Sequence, residues 1–301
     1  MRQKKNVALH LGIHKSASTY LVHSLQDNRV LLEKHGVGLV TPKPLRHKYG
    51  ITRLVNTTRI NDKDYEGNTK KIKSLFADII KEHDFERLVI TEENFLGFCG
   101  QLNGSDEIYP RADKNLNLIS EALSEFDTEI FMCIRNLKSF LPSAYCEYLR
   151  HARCVVPFNE FIKNYDFSKV GWCNFVKRVA AAFPKCQVKV WDFDSNFNPV
   201  TSQLIIKKLC GHNSMPHITL REKPVRKGIN CNGINLLVGS FGKLTIEEWA
   251  DLRKFVDGND LWTMGKKFMP WSSMEVAFFD QKHEISLNQI ANAGGNIELI
   301  R

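Results

Sequence analysis

Five short apolar runs recur along the chain, at residues 6–11, 37–41, 87–91, 129–135 and 187–193. Most are nearly continuous in apolar residues, which is the pattern of strands buried on both faces of a parallel sheet, while 187–193 (QVKVWDF) alternates over its first half. Between them the apolar positions fall at helical spacing, over 18–35, 68–83, 111–126, 138–152, 170–183 and 200–210, with two further helices predicted over 232–241 and 245–256. Strands alternating with helices predict an α/β fold. Its central, mainly parallel sheet is flanked by helices, with ligands at the carboxyl ends of the strands. The stretches 43–68 and 97–110 are polar and irregular and read as substrate-facing loops or plain surface excursions. Beyond Gly258 the chain is aromatic (Trp262, Phe268, Trp271, Phe278, Phe279) and apolar enough to pack, but its pattern assigns no element.

At 301 residues the chain is long enough for a sizeable core and is read as a single domain over 1–301. The opening MRQKKNVALHLGIHK imitates a secretory signal. Its apolar run is short, however, is broken by His10 and His14 and lacks a small-residue cleavage site, so it reads as a first strand. No run is long enough to span a membrane. The eight cysteines are scattered with no C-x-x-C pair, which fits free thiols in a reducing cytoplasm. The net charge of +9 gathers in clusters at 2–5, 43–48, 70–73 and 221–227 and favours an anionic partner. Neither a zinc finger nor an RNA-recognition motif is present, so nucleic acid is not the expected partner.

The chemistry begins at residues 7–25, VALHLGIHKSASTYLVHSL. A strand ends at Gly12, which permits a close backbone approach. Lys15, Ser16, Ser18 and Thr19 follow, and Ser18 or Thr19 is placed to cap the next helix. Unpaired N–H groups at a helix start, one lysine and three hydroxyls make an anion cradle. The nucleotide-triphosphatase loop needs G-x-x-x-x-G-K-[ST]. Here Gly12 stands only three residues before Lys15, and no glycine precedes the lysine.

The spacing G-x-x-K-S-x-S-T resembles the 5′-phosphosulfate loop of sulfotransferases that use 3′-phosphoadenosine 5′-phosphosulfate (PAPS). The longer run HLGIHKSASTYLVHSLQDNRVLLEKHGVGLVTP is similar to bacterial members of that family. The resemblance implies a phosphate-loop nucleoside-triphosphatase-like (sulfotransferase) fold and a 5′-phosphosulfate held by Gly12, Lys15, Ser16, Ala17, Ser18 and Thr19. Many members carry glycine where this chain has Ala17. A second segment, FMCIRNLKSFLPSAYCEYLR, places Arg135 at a strand end and Ser143 in the following helix. Arginine is the side chain best suited to bidentate phosphate contact. The segment resembles the family's R-[DN]-P-x-x-x-x-x-S-x-Y motif, which implies a 3′-phosphate held by Arg135 and Ser143, with Tyr145 at the motif's tyrosine. Leu137 replaces the usual proline. Arg226, Lys227 and Gly228 look similar to the R-K-G element that closes over the 3′-phosphate.

The implied reaction moves a sulfuryl group from PAPS to a hydroxyl or amine by in-line displacement, releasing adenosine 3′,5′-bisphosphate (PAP). Catalysis then depends on positioning and on neutralising the leaving oxygen, a role for Lys15. Glu93, after the strand at 87–91, is the first choice of general base, and His14 in the loop is the alternative. His10 and His14 find no third ligand in the sequence, so no metal is expected. A carbohydrate, glycolipid or small metabolite is the implied acceptor. The rivals are a nucleotide kinase or other phosphate-loop enzyme, with Asp192 its nearest magnesium ligand, and a non-catalytic anionic-glycan or nucleic-acid-binding protein.

Overall fold

Each apolar run forms a strand, and successive residues point to opposite faces. Val7, Leu9 and Leu11 enter one core, while Ala8 faces the other. In the computed structural model, which describes residues 5–59, 63–83, 85–196, 198–211, 218–221 and 228–300, six strands form one all-parallel sheet. They are β1 (Asn6–Leu11), β2 (Val37–Val40), β3 (Arg87–Thr91), β4 (Asp127–Ile134), β5 (Gln187–Asp192) and β6 (Ile297–Ile300), in the order β2-β3-β1-β4-β5-β6. The last strand was not anticipated. It pairs with β5 from Val188↔Ile297 to Trp191↔Ile300 at the sheet edge, and four residues after a Gly-Gly turn are too few to announce a strand.

One face is covered by α1 (Ser18–Asp27), α2 (Arg29–Lys34) and a helix introduced below, Pro199–Cys210. The predicted helix over 18–35 is therefore two. Asn28 ends the first: its Nδ2 donates to the Ser24 carbonyl at 2.7 Å and to the Thr219 carbonyl at 2.8 Å, so the side chain holds a distant segment instead of continuing the helix. The irregular stretch 43–68 also holds short helices, α3 (Pro42–His47) and α4 (Ile51–Thr57). The other face is covered by α5 (Tyr65–Glu82), α6 (Ala112–Leu123), α7 (Leu137–His151) and, after the short α8 (Phe158–Ile162), α9 (Trp172–Ala182). After β5 come α10 (Phe193–Asn196), α11 (Pro199–Cys210), α12 (Cys231–Ser240), α13 (Ile246–Gly258), α14 (Asp260–Thr263) and α15 (Ser273–Ala291). The eight cysteines are free, and no described helix is long and apolar enough to cross a membrane.

The stretch beyond Gly258, which the pattern left unassigned, fastens the helix that follows β4. Pro142 lies inside α7 and has no N–H for the Lys138 carbonyl four residues back. Trp271 supplies the missing donor, its Nε1 reaching that carbonyl at 2.8 Å. The surrounding aromatics pack on one another: Phe158, Phe268 and Phe279 all stand within ring-contact distance of Trp271 or of each other.

Candidate functional site

The carboxyl ends of β1 and β4 are neighbours in the sheet, and the chain leaves them in opposite directions, β1 towards β2 and β4 towards β5. Such a reversal opens a crevice at the strand ends where ligands settle in open parallel sheets. The two segments singled out by sequence meet there.

The β1 loop is held in a strained path. Lys15 has φ 63° and Ala17 has φ 57°, both in the left-handed region that costs a non-glycine residue about 1–2 kcal/mol. Ala17, not Ser18 or Thr19, occupies the position before the first turn of α1, and it offers no side-chain cap. Ser18 is inside the helix and donates instead to Glu93 Oε2 at 3.0 Å; Ser16 donates to the Ile13 carbonyl at 2.6 Å; Thr19 is exposed. Gly12 is required by proximity: a Cβ there would stand 3.1 Å from the Ser18 Cβ and 3.2 Å from the Glu93 Cβ. It lets the end of β3 close against the loop.

Arg135 leaves the end of β4 and donates through Nη1 to the Lys15 carbonyl. Its Nε donates to Ser139 Oγ at 2.8 Å, and the guanidinium lies 4.7 Å over the Phe193 ring. The indole of Trp172 fixes its carbonyl. Among the described residues no carboxylate comes within ion-pair distance of Arg135, and burial pulls the guanidinium below its ordinary value. The neighbouring charges cancel. Lys15 Nζ lies 3.3 Å from Glu147, which also takes Arg150 at 3.0 Å, while Asp257 takes the other side of Arg150 at 2.6 Å. Arg135 is left without a direct ion pair among the described residues, with the Asp194 carboxylate reaching it only through Ser139, 3.4 Å from Asp194. Ser139, Ser143 and Glu147 are spaced by four along α7 and share one face, so half-buried Ser143 lies between the contacts to Arg135 and to Lys15. The sequence pairs Ser143 with Arg135; the structure gives that contact to Ser139, one turn earlier. Tyr145 is buried and donates to the Val156 carbonyl at 2.7 Å, a core role.

The two candidate bases differ in freedom. His14 is buried with both ring nitrogens engaged: Nδ1 lies 2.9 Å from the Tyr109 hydroxyl and Nε2 3.0 Å from Asn94 Oδ1. The same hydroxyl accepts from the His14 N–H at 3.0 Å. The Asn94 oxygen can only accept, so Nε2–H donates to it and a neutral ring then takes the Tyr109 proton at Nδ1, leaving no free lone pair on the ring. Tyr109 itself sits at φ 55°, an unusual conformation for so large a residue. Glu93 follows β3 in a 3-10 turn, half-buried, with Oε2 against Ser18 and Oε1 3.6 Å from Arg46. Its neighbour Glu92 is fully buried and meets the same Arg46 nitrogen. Arg46 grips it at 2.5 and 2.9 Å, and Thr52 and the Asn94 N–H each add a bond of 2.9 Å. Against the burial that pulls it down, the contacts with Glu92 hold Arg46 above its ordinary value. A cleft of about 340 Å³ opens beside Glu93, between α1 and α3.

At the end of β5, Asp192, Asp194 and His283 bring possible metal-ligand atoms within 4.8 Å of one another. They are engaged internally: His283 Nε2 meets Asp192 at 2.8 Å, and Asp194 accepts the Asn136 N–H at 2.6 Å. Asp192 stands two strands from β1, about 10 Å at the usual strand spacing. His10 is buried in β1, bonded to Thr91 at 2.9 Å and stacked on Trp191, and burial lowers its pKa to about 4. Gly228 is exposed with open space around it; Arg226 and Lys227 lie outside the described residues. Arg46, Asn94, Tyr109, Ser139 and Glu147 were missed by sequence reasoning. For Ser139 and Glu147 the signal was the four-residue spacing from Ser143; for Arg46 it was the basic cluster at 43–48.

No protein-family model matches the chain, and no curated protein matches it. Among solved structures, one from a study of the PezAT chromosomal toxin–antitoxin system of Streptococcus pneumoniae is similar at a TM-score of 0.25 and 11% identity. The match covers 69% of this chain and 79% of that one. A likeness of that size carries no argument about this chain.

Proposed function

We propose that this protein is a PAPS-dependent sulfotransferase that moves a sulfuryl group to a hydroxyl or amine acceptor. The observation that carries the reading is Arg135, a largely desolvated guanidinium with no carboxylate partner among the described residues, bonded to the carbonyl of Lys15 across the β1–β4 crevice. A half-buried guanidinium whose nearby carboxylate, Asp194, stays beyond ion-pair contact keeps donors free for an anion, and a bound phosphate would engage them. The strand order β2-β3-β1-β4-β5 with an anion-cradling loop after β1 supports the phosphate-loop-like sulfotransferase fold. In this reading the Gly12–Thr19 loop takes the 5′ end of the nucleotide, Lys15 neutralises the leaving oxygen, and Arg135 with Ser139 and Ser143 takes the 3′-phosphate. Glu93, which lines the cleft, accepts the acceptor's proton; His14 holds the loop. The free cysteines fit a reducing compartment such as the cytoplasm.

The kinase reading is weaker, since the loop lacks G-K-[ST] and Asp192 is bonded to His283 two strands away. Calorimetric titration tests the choice. PAP binds the wild type at least tenfold more tightly than ATP with magnesium, and Arg135→Ala loses that affinity by roughly 100-fold, about 2.7 kcal/mol. Preference for ATP with magnesium returns the kinase, and indifference to both nucleotides returns the non-catalytic binding protein.

A further inference from the structure

The cleft beside Glu93 has a composition that selects what enters it. Its volume of about 340 Å³ lies at the small end of ligand pockets. Among the described residues its cationic side chains are Lys43, exposed, and Arg46, with His23 and His47 beside them, and Glu93 is its sole carboxylate. No Phe, Tyr or Trp among the described residues lines it, so it lacks the flat apolar surface on which a neutral sugar ring or a phenol rests. Arg46 is committed to Glu92 and Glu93, whereas no ion pair engages Lys43 among the described residues.

We propose that this cleft is the acceptor subsite and that the acceptor is a small hydroxyl compound carrying its own carboxylate or phosphate group, held by Lys43. The inference rests on the sulfotransferase reading and adds the acceptor's charge to it. In the transfer, the acceptor oxygen forms a bond to the sulfur of PAPS and the bond from sulfur to the phosphate oxygen breaks. The electron pair of that bond stays on PAP, and the hydroxyl proton passes to the Glu93 carboxylate and then to solvent. The anionic group sits at the Lys43 side, away from the carboxylate that must face the hydroxyl.

Ligand-observed NMR titration of PAP-saturated protein with matched pairs tests this: D-glucuronate against D-glucose, glycerol 3-phosphate against glycerol, and 4-hydroxyphenylacetate against 2-(4-hydroxyphenyl)ethanol. In at least one pair the anionic member binds at least tenfold more tightly, and Lys43→Gln reduces that advantage about fivefold while PAP affinity stays within twofold. Radiolabelled transfer from PAPS follows the same order of preference. Equal or tighter binding of every neutral member, no binding by any, or an unchanged preference in Lys43→Gln overturns the inference. If PAP binds normally in those cases, the sulfotransferase reading stands and the charge assignment alone fails. If PAP does not bind the wild type, both fall.

Discussion

Arg87 and Arg135 lie at opposite ends of the same sheet and are both largely withdrawn from water, yet their surroundings differ in kind. Arg87, at the amino end of β3, donates to the Leu209 carbonyl at 2.6 Å and to Glu129 at 2.5 Å, and Lys189 shares that carboxylate. Although burial opposes it, Lys189 and Arg87 hold Glu129 below the ordinary carboxylate range. Arg135, at the carboxyl end of β4, has a carbonyl, a hydroxyl and an aromatic face but no carboxylate in ion-pair contact among the described residues, Asp194 acting on it from farther off. The amino end also has the roomier cleft, about 1140 Å³ against about 340 Å³. Room alone is therefore a poor guide to a site. A half-buried cation with no direct ion pair, beside a loop held at positive φ, is the better one.

The comparison predicts opposite consequences for the two arginines. Arg87→Ala leaves Glu129 short of a partner and costs about 3–5 kcal/mol in urea unfolding. Arg135→Ala removes an unpaired cation and shifts stability by less than about 1 kcal/mol, its loss appearing in PAP binding. Equal destabilisation by both would erase the distinction drawn here.

The bases separate next. Glu93→Gln lowers turnover roughly 100-fold or more with PAP affinity nearly unchanged, measured with labelled PAPS. His14→Ala, which frees the loop from Tyr109 and Asn94, weakens PAP binding and turnover together. The reverse pattern would move the base to His14.

The site end of the sheet carries its own acid sensitivity. His10 is neutral in the folded state down to about pH 4, whereas in the unfolded chain it takes up a proton near pH 6.5. Its contribution is therefore complete above pH 6.5 and is lost as pH falls towards 4, by roughly 3 kcal/mol at most. Thermal unfolding between pH 7.5 and 4 displays this slope, and His10→Gln flattens it; an equal slope in the variant would assign it elsewhere.

Smallest is the effect at Ala17. Glycine relieves the positive φ but adds freedom to the unfolded chain. Ala17→Gly should thus raise stability by less than about 1 kcal/mol, while Ala17→Val lowers it by more than that, and differential scanning calorimetry reads both. A wild-type-like valine variant would show that the loop takes another path.

Strands β1 to β4 were legible because a strand covered on both faces must be apolar almost throughout, and β5 because Val188, Val190 and Trp191 still make a compact apolar group. Lys15 and Arg135 were legible because each stands directly after such a run. What the chain did not announce are the contacts made over long separations. Tyr109 locks His14 from 95 residues away, Arg46 grips Glu92 across 46, and Trp271 serves the carbonyl that Pro142 orphans across 133. No local period encodes such partners. Which serine meets Arg135 likewise depends on how α7 is rotated, and that rotation is set by the aromatics packed behind it. The amino-acid order by itself determined the layered sheet and the strand ends that carry charge. Tertiary structure alone decided which of those charges are cancelled, because cancellation depends on what distant segments bring within a few ångströms.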